Sequence, residues 1–446
     1  MEEHMNNQAV NQVEDHSGNQ DSVHFGTQSS VPTMTPVAHT YTISVIGIGR
    51  VGLPLSLSFC KKGCKVFGVD VNQDHVNAVN GGTMPFIEVG ATELLQRFIG
   101  REFIATTDLR MAVQGSEVII MTLGTPVDEH LNPVFAQLES ALKTIIASLK
   151  PGQLIILRST VSPTTTEHIK RYIEKHTPYK IGVDLFLAFC PERIAEGKAI
   201  EEIETLPQII GTLDDVSAEK ASAVFKLLTP DILVSDARSC ELAKLYCNMY
   251  RYINFAIANE FMMIAEQHQR DIYEVTRLVN TGYKRGGLKQ PGFSAGPCLY
   301  KDGFFLVNRT PFAELISTSW KINESVPSYL IEQMRAMKDL QGAKVAILGL
   351  SFKKNIDDTR NSLSYKARKI FLAAGAEVVL HDPFVERKPL EDVLRGADVV
   401  LVAMNHDAYG ALTPEFLNPL VADGCIVCDI WNMLGTGKVF NVLKNV

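Results

Sequence analysis

The chain has 446 residues, of which 46% are hydrophobic and 21% are charged, and its formal net charge is -7. This length and hydrophobic content can bury more than one core, and the acidic balance leaves no basic surplus for nucleic acid. No apolar run approaches the roughly 18 residues of a membrane span, the start has no secretory signal, and eight scattered cysteines are too few for a disulfide framework. We therefore expect a cytoplasmic protein with two or three domains.

The folded part of the chain is expected to begin near Tyr41. Residues 1–40 are rich in Asn, Gln, Ser and Thr and lack apolar periodicity, which predicts a disordered tail, either a solvating extension or a docking segment. The pattern then changes to a strand at 42–46, a glycine turn, a helix at 53–62 and a strand at 65–70. This order predicts the start of a parallel α/β sheet.

The glycine turn has the form G-x-G-x-x-G and consists of Gly47, Ile48, Gly49, Arg50, Val51 and Gly52. The first glycine permits the sharp bend, the second lets the backbone approach a pyrophosphate, and the third lets the helix pack on the strand. Asp70 ends the second strand, where a carboxylate can hydrogen-bond both ribose hydroxyls. The sequence therefore predicts a dinucleotide site, and Asp70 favours NAD over NADP because it would repel a 2′-phosphate.

Three further apolar strands run into polar clusters. The strand in 115–126 ends at Thr125 and Pro126, the strand at 154–157 is followed by Arg158, Ser159 and Thr160, and the strand at 185–189 is followed by Cys190, Pro191, Glu192 and Arg193. Ligands of open parallel sheets collect at the carboxyl ends of the strands. Thr125 is therefore a candidate cofactor contact.

A stretch from about 235 to 269 contains no proline or glycine and predicts one long central helix. Its apolar residues lie on more than one face, so the helix is either an internal core element or a dimer interface. Lys244 and Asn248 are one turn apart and share a face. Lys244 either extends its ammonium to solvent or, with Asn248, forms an oxyanion site or proton acceptor for a substrate hydroxyl.

Cys298 lies in a glycine-rich segment at 291–302. A thiol beside a hydride acceptor suggests that an aldehyde is trapped as a thiohemiacetal, whose second oxidation gives a hydrolysable thioester. Such chemistry takes an alcohol to an acid in a four-electron oxidation. We expect Cys298 to begin a helix over 299–307, where amide N–H groups would favour its thiolate. The alternative is that Cys298 is a small buried apolar residue.

A second copy of the strand order occurs near the end of the chain, with strands at 343–349, 376–382 and 396–402. It lacks G-x-G-x-x-G, and Gly349 is followed by a basic loop, 350–360, that suits the phosphates of a nucleotide. Cys425 and Cys428 form a C-x-x-C pair within an apolar run. We interpret that run as a buried strand, with metal or redox function as the alternative.

The remaining evidence is a set of motifs in chain order: Gly47-x-Gly49-x-x-Gly52, Gly124-Thr-Pro126, Ser159-Thr-Val161, Pro191-Glu-Arg193 with Glu196-Gly197, Glu241-Leu-Ala-Lys-Leu245 with Asn248, Gly296-x-Cys298-x-x-x-Asp302, and Phe352-Lys-Lys354 with Asp358-Thr-Arg360. Together they resemble the UDP-glucose/GDP-mannose dehydrogenase family. The resemblance implies an α/β fold of two Rossmann-like, doubly wound parallel-sheet domains joined by a long central helix. It implies an NAD-binding domain at 41–232, a central helical dimerisation domain with the cysteine loop at 233–326, and a nucleotide-sugar-binding domain at 327–446.

The resemblance also implies an activity and roles for residues. It implies an NAD-dependent nucleotide-sugar 6-dehydrogenase, an oxidoreductase of polysaccharide biosynthesis that makes a uronic acid, consumes two NAD per turnover and forms a homodimer through the central helix. Cys298 would be the nucleophile, Lys244 and Asn248 would stabilise the C6 oxygen, and Glu192, Asp302 and Thr160 would manage the water that cleaves the thioester. The implied cofactor contacts are Gly47, Gly49, Arg50, Val51, Gly52, Asp70, Thr125, Glu196 and Arg360. The implied substrate contacts are Arg193, Arg285 and Lys353, and no metal site is implied.

The sugar is less constrained by the sequence than the reaction. Segments 279–285 and 290–292 resemble the branch that oxidises UDP-N-acetylhexosamines, which favours UDP-N-acetylmannosamine or UDP-N-acetylglucosamine over UDP-glucose or GDP-mannose. Pro297 and Trp431 depart from the family pattern near the substrate pocket. Two other functions stay open: a two-electron dehydrogenase in which Cys298 only packs, and a non-catalytic sensor of NAD and a nucleotide sugar. Glu192 could also be a surface carboxylate beside Arg193, and Asp302 could only complete a helix start.

Overall fold

The apolar runs that recur along the sequence form two mostly parallel sheets. The structure is a computed structural model and describes residues 40–443 apart from 133, 135, 308, 309, 311 and 312. The predicted tail at 1–40 therefore lies outside the described residues except for Thr40. Within the described part, the first sheet has the order β3-β2-β1-β4-β5-β6-β7-β8. Its strands are β1 (Thr42–Ile46), β2 (Lys65–Val69), β3 (Phe103–Thr106), β4 (Val118–Met121), β5 (Leu154–Leu157), β6 (Phe186–Phe189), β7 (Gln208–Thr212) and β8 (Ile232–Asp236).

All neighbours in the first sheet pair in parallel except β6 and β7. The second sheet has the order β10-β9-β11-β12-β13, and only its β12 and β13 are antiparallel. Its strands are β9 (Lys344–Leu348), β10 (Glu377–His381), β11 (Val399–Val402), β12 (Cys425–Asp429) and β13 (Phe440–Leu443). The central strands β4, β5, β6 and β11 are buried along their whole length, as strands with helices on both faces must be.

Helices connect the strands and cover both sheets. In chain order they are α1 (Gly52–Lys61), α2 (Gln73–Asn80), α3 (Ala91–Phe98), α4 (Leu109–Gln114), α5 (Ala136–Ile146), α6 (Thr165–His176), α7 (Ala199–Thr205), α8 (Asp215–Phe225), α9 (Ala237–Gln267), α10 (Ile272–Asn280), α11 (Leu299–Asp302), α12 (Phe304–Val307), α13 (Glu314–Met337), α14 (Leu363–Ala373), α15 (Leu390–Leu394) and α16 (Pro414–Leu417). The α/β class and the two Rossmann-like sheets expected from the sequence are confirmed.

The predicted central helix is confirmed as α9, which runs unbroken for 31 residues. It begins where the Asp236 carboxylate accepts a hydrogen bond of 2.9 Å from the Ser239 N–H, and no proline or glycine interrupts it. Its last turns pack with α13 against the second sheet, where Met262 and Val326 belong to one buried cluster with Val345. Helix α13 crosses the predicted boundary between 326 and 327, and the division at 41–232, 233–326 and 327–446 stays a prediction.

Cys425 and Cys428 are both fully buried in β12, as the strand interpretation requires. Desolvation raises the pKa of each thiol, so both stay protonated.

Candidate active site

The turn between β1 and α1 has the geometry that a dinucleotide site needs. Gly47 has a φ of +96° and donates a backbone hydrogen bond of 2.7 Å to the Val69 carbonyl on β2. A Cβ on Gly52 would lie 1.9 Å from the Gly47 carbonyl oxygen, so only glycine lets α1 start against the turn. A Cβ on Gly49 would meet no heavy atom within 4 Å. The second glycine thus faces open space, which fits a bound pyrophosphate.

The neighbouring strand ends add two of the predicted cofactor contacts. Asp70 comes directly after β2, and its Oδ1 accepts a hydrogen bond of 3.0 Å from the Asn72 N–H. Among the described residues no donor reaches its Oδ2, so that oxygen can meet a ribose hydroxyl. Thr125 is buried, and its hydroxyl donates to the Thr160 carbonyl at 2.8 Å, which ties the segment after β4 to the segment after β5. Val51 is the N-cap residue of α1, directly before Gly52.

Five charged side chains meet in front of the glycine turn. The Arg50 guanidinium lies 2.7 Å from Asp357, 3.4 Å from Asp358 and 3.8 Å from Glu196. The Arg360 Nε donates to both oxygens of Asp358 at 3.0 and 2.9 Å, and Arg360 lies 3.5 Å from Glu196. Burial and the nearby Asp358 raise the pKa of Glu196 to about 7. The three predicted contacts Arg50, Glu196 and Arg360 thus share one cluster that joins the two sheets.

Cys298 is the N-cap residue of α11, but the helix after it differs from the prediction. The continuous helix expected over 299–307 is wrong: Gly303 separates α11 from α12, and each has four residues. The Cys298 residue reaches solvent, yet the protein around its sulfur still desolvates the thiol. Desolvation and the nearby Asp302 raise the pKa of the thiol, outweighing Lys301 and Lys244, which lower it. The pKa of the thiol therefore lies above its ordinary value although Cys298 stands at a helix start.

The groups around Cys298 form a connected polar set. Asp302 is fully buried and accepts hydrogen bonds from the Asn248 amide at 2.6 Å and from the Lys301 ammonium at 2.7 Å. Lys244 lies one turn before Asn248 on α9 and is also buried. Among the described residues nothing accepts a hydrogen bond from the Lys244 ammonium, which leaves its three donors for a ligand. Lys244, Asn248, Asp302 and Cys298 thus come together, and their roles stay predictions.

Glu192 has a different environment. Its Oε2 pairs with the Arg158 guanidinium, and its Oε1 accepts hydrogen bonds from the Arg193 and Ile194 N–H groups at 2.7 and 3.0 Å. Arg158 is itself buried and also donates to Gln208 at 3.0 Å. The surface-carboxylate alternative is therefore wrong, since Glu192 is a mostly buried partner of Arg158. Most of its hydrogen-bonding capacity is already used by protein donors.

The three predicted substrate contacts each have a different partner. The Arg193 guanidinium donates to the Pro207 carbonyl, and Arg285 is exposed, with its guanidinium 4.9 Å over the Tyr283 ring. Lys353 donates to the Glu196 carbonyl and so reaches the charged cluster. Their roles stay predictions.

Two residues of the candidate active site, Arg158 and Lys301, were given no role from the sequence. Arg158 stands after a buried strand and Lys301 precedes Asp302, so a cation in an apolar setting was the available signal for each.

One cavity large enough for a ligand lies away from this chemistry. A cavity of about 1000 Å³ lies between α5, α6, α9 and α12 and contains none of the predicted site residues. A cavity of about 10 Å³ lies beside Glu192 and Arg193.

Across the described ranges, no group of three or more His, Cys, Asp or Glu residues could hold a metal ion. No helix in that part of the chain combines the length and apolarity needed to cross a bilayer.

Comparison with known proteins agrees with this geometry. Residues 41–229 match the NAD binding domain of the UDP-glucose/GDP-mannose dehydrogenase family, residues 238–325 its central domain and residues 346–436 its UDP binding domain. A UDP-N-acetyl-D-mannosamine dehydrogenase of Pyrococcus horikoshii is 32% identical over 383 residues, which are 84% of this chain and 91% of the relative.

Solved structures are similar over the same length. The UDP-D-ManNAc dehydrogenase structure from Pyrococcus horikoshii has a TM-score of 0.81 at 30% identity and covers 86% of this chain and 94% of that one. The structure of a UDP-glucose dehydrogenase from Pyrobaculum islandicum has a TM-score of 0.79 at 26% identity and covers 85% and 93%. The similarity therefore includes both sheets and the central helix.

Proposed function

The chain belongs to the UDP-glucose/GDP-mannose dehydrogenase family and is an NAD-dependent nucleotide-sugar dehydrogenase, and on that premise we propose a four-electron oxidation at C6 of a UDP-N-acetylhexosamine. UDP-N-acetylmannosamine is the favoured substrate because the relative with 32% identity carries that name, and UDP-N-acetylglucosamine is the next. The observation that carries the proposal is the convergence of Cys298, Lys244, Asn248 and Asp302.

The first oxidation uses the two residues on α9. When bound, NAD accepts the hydride from C6 in each of the two oxidations. As the hydride leaves C6, the C6 hydroxyl loses its proton to water, which gives the aldehyde. The Lys244 ammonium donates a hydrogen bond to the C6 oxygen and stabilises the negative charge that develops there. Asn248 uses one amide hydrogen on Asp302 and keeps the second for the same oxygen. Asp302 holds the amide in that orientation, since its own carboxylate is fixed by Lys301.

The second oxidation needs a covalent bond to sulfur. The Cys298 sulfur adds to C6 of the aldehyde, and the thiol proton moves to the C6 oxygen. The product is a thiohemiacetal with an O–H on C6. Loss of a second hydride and of the O–H proton gives a thioester. Water then adds to C6, the C–S bond breaks, and the products are the carboxylate, one proton and the free thiol. Because the thiol pKa is raised, the proton must be taken up as the C–S bond forms.

Thioester hydrolysis requires an ordered water. Asp302 is the carboxylate next to Cys298 and Thr160 supplies a half-buried hydroxyl. Glu192 is held by Arg158 and two amides, so we assign it to orienting a water through its remaining lone pair rather than to deprotonating one.

We propose that three domains with the predicted boundaries carry out cofactor binding, the chemistry and nucleotide binding. Residues 41–232 hold NAD, 233–326 supply the chemistry and 327–446 hold the nucleotide. The family matches at 41–229, 238–325 and 346–436 support this division.

The deciding experiment is a panel of nucleotide sugars with NAD, monitored as NADH absorbance together with product mass. We expect two NADH per sugar and a uronic acid from UDP-N-acetylmannosamine. One NADH per sugar would contradict the thioester route and favour a two-electron dehydrogenase. Turnover of only UDP-glucose or GDP-mannose would overturn the proposed sugar, and binding without turnover of any sugar would favour a sensor.

We further propose that the protein is a homodimer through α9. One face of the helix exposes a row of apolar side chains: Tyr246, Tyr250, Ile257, Phe261 and Ile264. Leu278 on the adjoining α10 extends the apolar surface. Sedimentation should give twice the chain mass of 49.3 kDa, and Phe261→Asp should give the monomer. Val183→Asp, at an exposed apolar position elsewhere, is the control and should stay dimeric. A monomeric wild type would contradict the proposal.

A further inference from the structure

The segment at 350–355, here named the 350–355 loop, lies directly after β9 and its turn glycine and reaches the cysteine segment and the first sheet. The Phe352 ring lies against Gly296, where a Cβ would be only 2.5 Å from the ring. Gly296 is two residues before Cys298. Lys353 donates to the Glu196 carbonyl. The conformation of this loop therefore sets two contacts beside the candidate active site.

Asp382 fixes the beginning of the 350–355 loop. This carboxylate comes directly after β10, is fully buried, and accepts hydrogen bonds from the N–H groups of Leu350 at 2.6 Å and Ser351 at 3.1 Å. Burial alone would raise the pKa of Asp382, but hydrogen bonds from His406, Leu350 and Phe384 lower it to about 2. Asp382 is therefore a fixed negative charge at the start of the loop.

His406 connects both ends of the loop. It lies in the segment after β11 and is fully buried. Its Nδ1 lies 3.0 Å from the Asn355 N–H, which can only donate, so Nδ1 carries no proton. The proton is then on Nε2, which lies 3.2 Å from Asp382 Oδ2 and 3.2 Å from Ser351 Oγ. The hydrogen bonds require one neutral tautomer of His406.

The far end of the loop needs such support. Asn355 has a φ of +60°, a left-handed conformation that is unfavourable for a residue with a side chain. The N–H held by His406 is the N–H of that residue. The Asn355 side chain also bonds Asp407, next to His406. The segment that begins at His406 thus holds the strained residue that closes the loop.

We propose that His406 is a positioning residue that holds the 350–355 loop, and with it Lys353 and Phe352, in the conformation that binds the nucleotide part of the substrate. It acts through the acceptor lone pair on Nδ1 and the donor on Nε2, and it does not touch the reacting atoms. This inference rests on the proposed function only in assigning Lys353 to the substrate. A histidine that merely fills the core would give the same burial without requiring a particular hydrogen-bond pattern.

Two variants separate these roles. In His406→Asn the side-chain oxygen can take the place of Nδ1 and accept from Asn355. In His406→Gln the amide nitrogen can take the place of Nε2 and donate to Asp382, but the acceptor for Asn355 is lost. His381→Gln is the matched control: His381, the last residue of β10, is a second buried histidine, and its ring bonds Tyr409 at 2.8 Å and not the loop.

The experiment titrates UDP into the full chain by calorimetry, with NAD affinity and melting temperature measured for every variant. We expect His406→Gln to weaken UDP binding by tenfold or more, His406→Asn by about threefold or less, and His381→Gln not at all, with NAD affinity unchanged in all three. Equal losses in the two His406 variants, loss of NAD affinity in parallel, or no loss in His406→Gln would each overturn the proposal.

Turnover supplies an independent readout. With a nucleotide sugar that the wild type oxidises, His406→Gln should raise KM for the sugar at least tenfold and leave KM for NAD unchanged. A fall in kcat alone would contradict a positioning role in binding. If the wild type oxidises no nucleotide sugar, the proposed function fails while the UDP titration still decides the role of His406.

Discussion

The turns after β1 and after β9 start from the same backbone geometry and then diverge. Gly47 and Gly349 have φ values of +96° and +92°. Each donates its N–H to the last residue of the neighbouring strand, Gly47 to Val69 at 2.7 Å and Gly349 to His381 at 2.8 Å. The bend is therefore the same at the equivalent point of both sheets, and the difference in function has to come from the residues after the bend.

The segments after the two bends differ in the space that they leave. After the first turn α1 begins at once, at Gly52, and Gly49 faces an open region. After the second turn α14 begins only at Leu363, behind a segment of charged residues that reaches the other sheet. Ser364 donates its hydroxyl to the Gly349 carbonyl at 2.8 Å, where the first turn allows no side chain at all. One turn is thus shaped for a pyrophosphate and the other for contacts between the halves.

The largest effect is expected at Cys298, which should be needed for the chemistry but not for ligand binding at either turn. Cys298 belongs to neither sheet, so Cys298→Ser should reduce acid formation by roughly 10³-fold or more while leaving NAD and UDP affinities unchanged. Product analysis measures acid formation, and calorimetry measures the NAD and UDP affinities. Retained acid production would show that sulfur is not the nucleophile, and lost NAD binding would show that the cysteine segment is not separable from the first turn.

The next effect concerns the point where the two turns meet. Burial and Asp358 raise the pKa of Glu196 to about 7 in the folded state, against an ordinary value near 4.5. The folded state therefore holds this proton between about pH 4.5 and 7, where the unfolded state has lost it, and stability falls as pH rises through that window. Glu196→Gln should remove up to roughly 2–3 kcal/mol of this dependence. Urea unfolding from about pH 5 to 8 measures it, with Glu93→Gln, at an exposed glutamate of α3, as control. Equal slopes in wild type and Glu196→Gln would contradict the prediction.

A smaller effect tests the packing difference between the turns. In Gly52→Ala the new Cβ would collide with the Gly47 carbonyl, which should lower the free energy of unfolding by about 1–3 kcal/mol. Ser364→Ala removes only a hydrogen bond and should cost about 1 kcal/mol. Gly49→Ala adds a Cβ in open space and should leave the unfolding free energy nearly unchanged while weakening NAD binding. Denaturant unfolding measures the loss of unfolding free energy in the three variants. A different rank order would contradict the proposed difference in packing between the two turns.

The smallest effect is expected for the ion pair that connects the two turns. Arg50 and Asp357 form a partly exposed pair at 2.7 Å, so a double-mutant cycle with Arg50→Met and Asp357→Asn should give a coupling of about 0.5–1 kcal/mol. The coupling should shrink in about 0.5 M salt, because part of the pair is open to solvent. Zero coupling at low salt would mean that the two turns are held together by other contacts.

The sequence predicted most of the framework because its signals are local. The strands, the glycine turn and the 31-residue α9 come from periodicity, glycine spacing and the absence of helix breakers within a single segment. Lys244 and Asn248 share a face for the same reason. The helix expected after Cys298 was wrong at Gly303, where the backbone lies against Met249 of α9, with a Cβ position only 2.8 Å from its sulfur. That close approach comes from another segment, so the sequence shows the glycine but not the contact that requires it.

By itself, the sequence determined which residue types are available at each strand end and which turn can hold a dinucleotide. Only the tertiary structure decided their partners: Arg50 turns to Asp357, Glu192 to Arg158, and Asp302 to Asn248. These pairs join segments that are far apart in the chain, and a charge in a mostly buried site is stabilised only by a partner at hydrogen-bond distance. The chain can encode the charges, but folding alone brings each to the group that fixes its orientation.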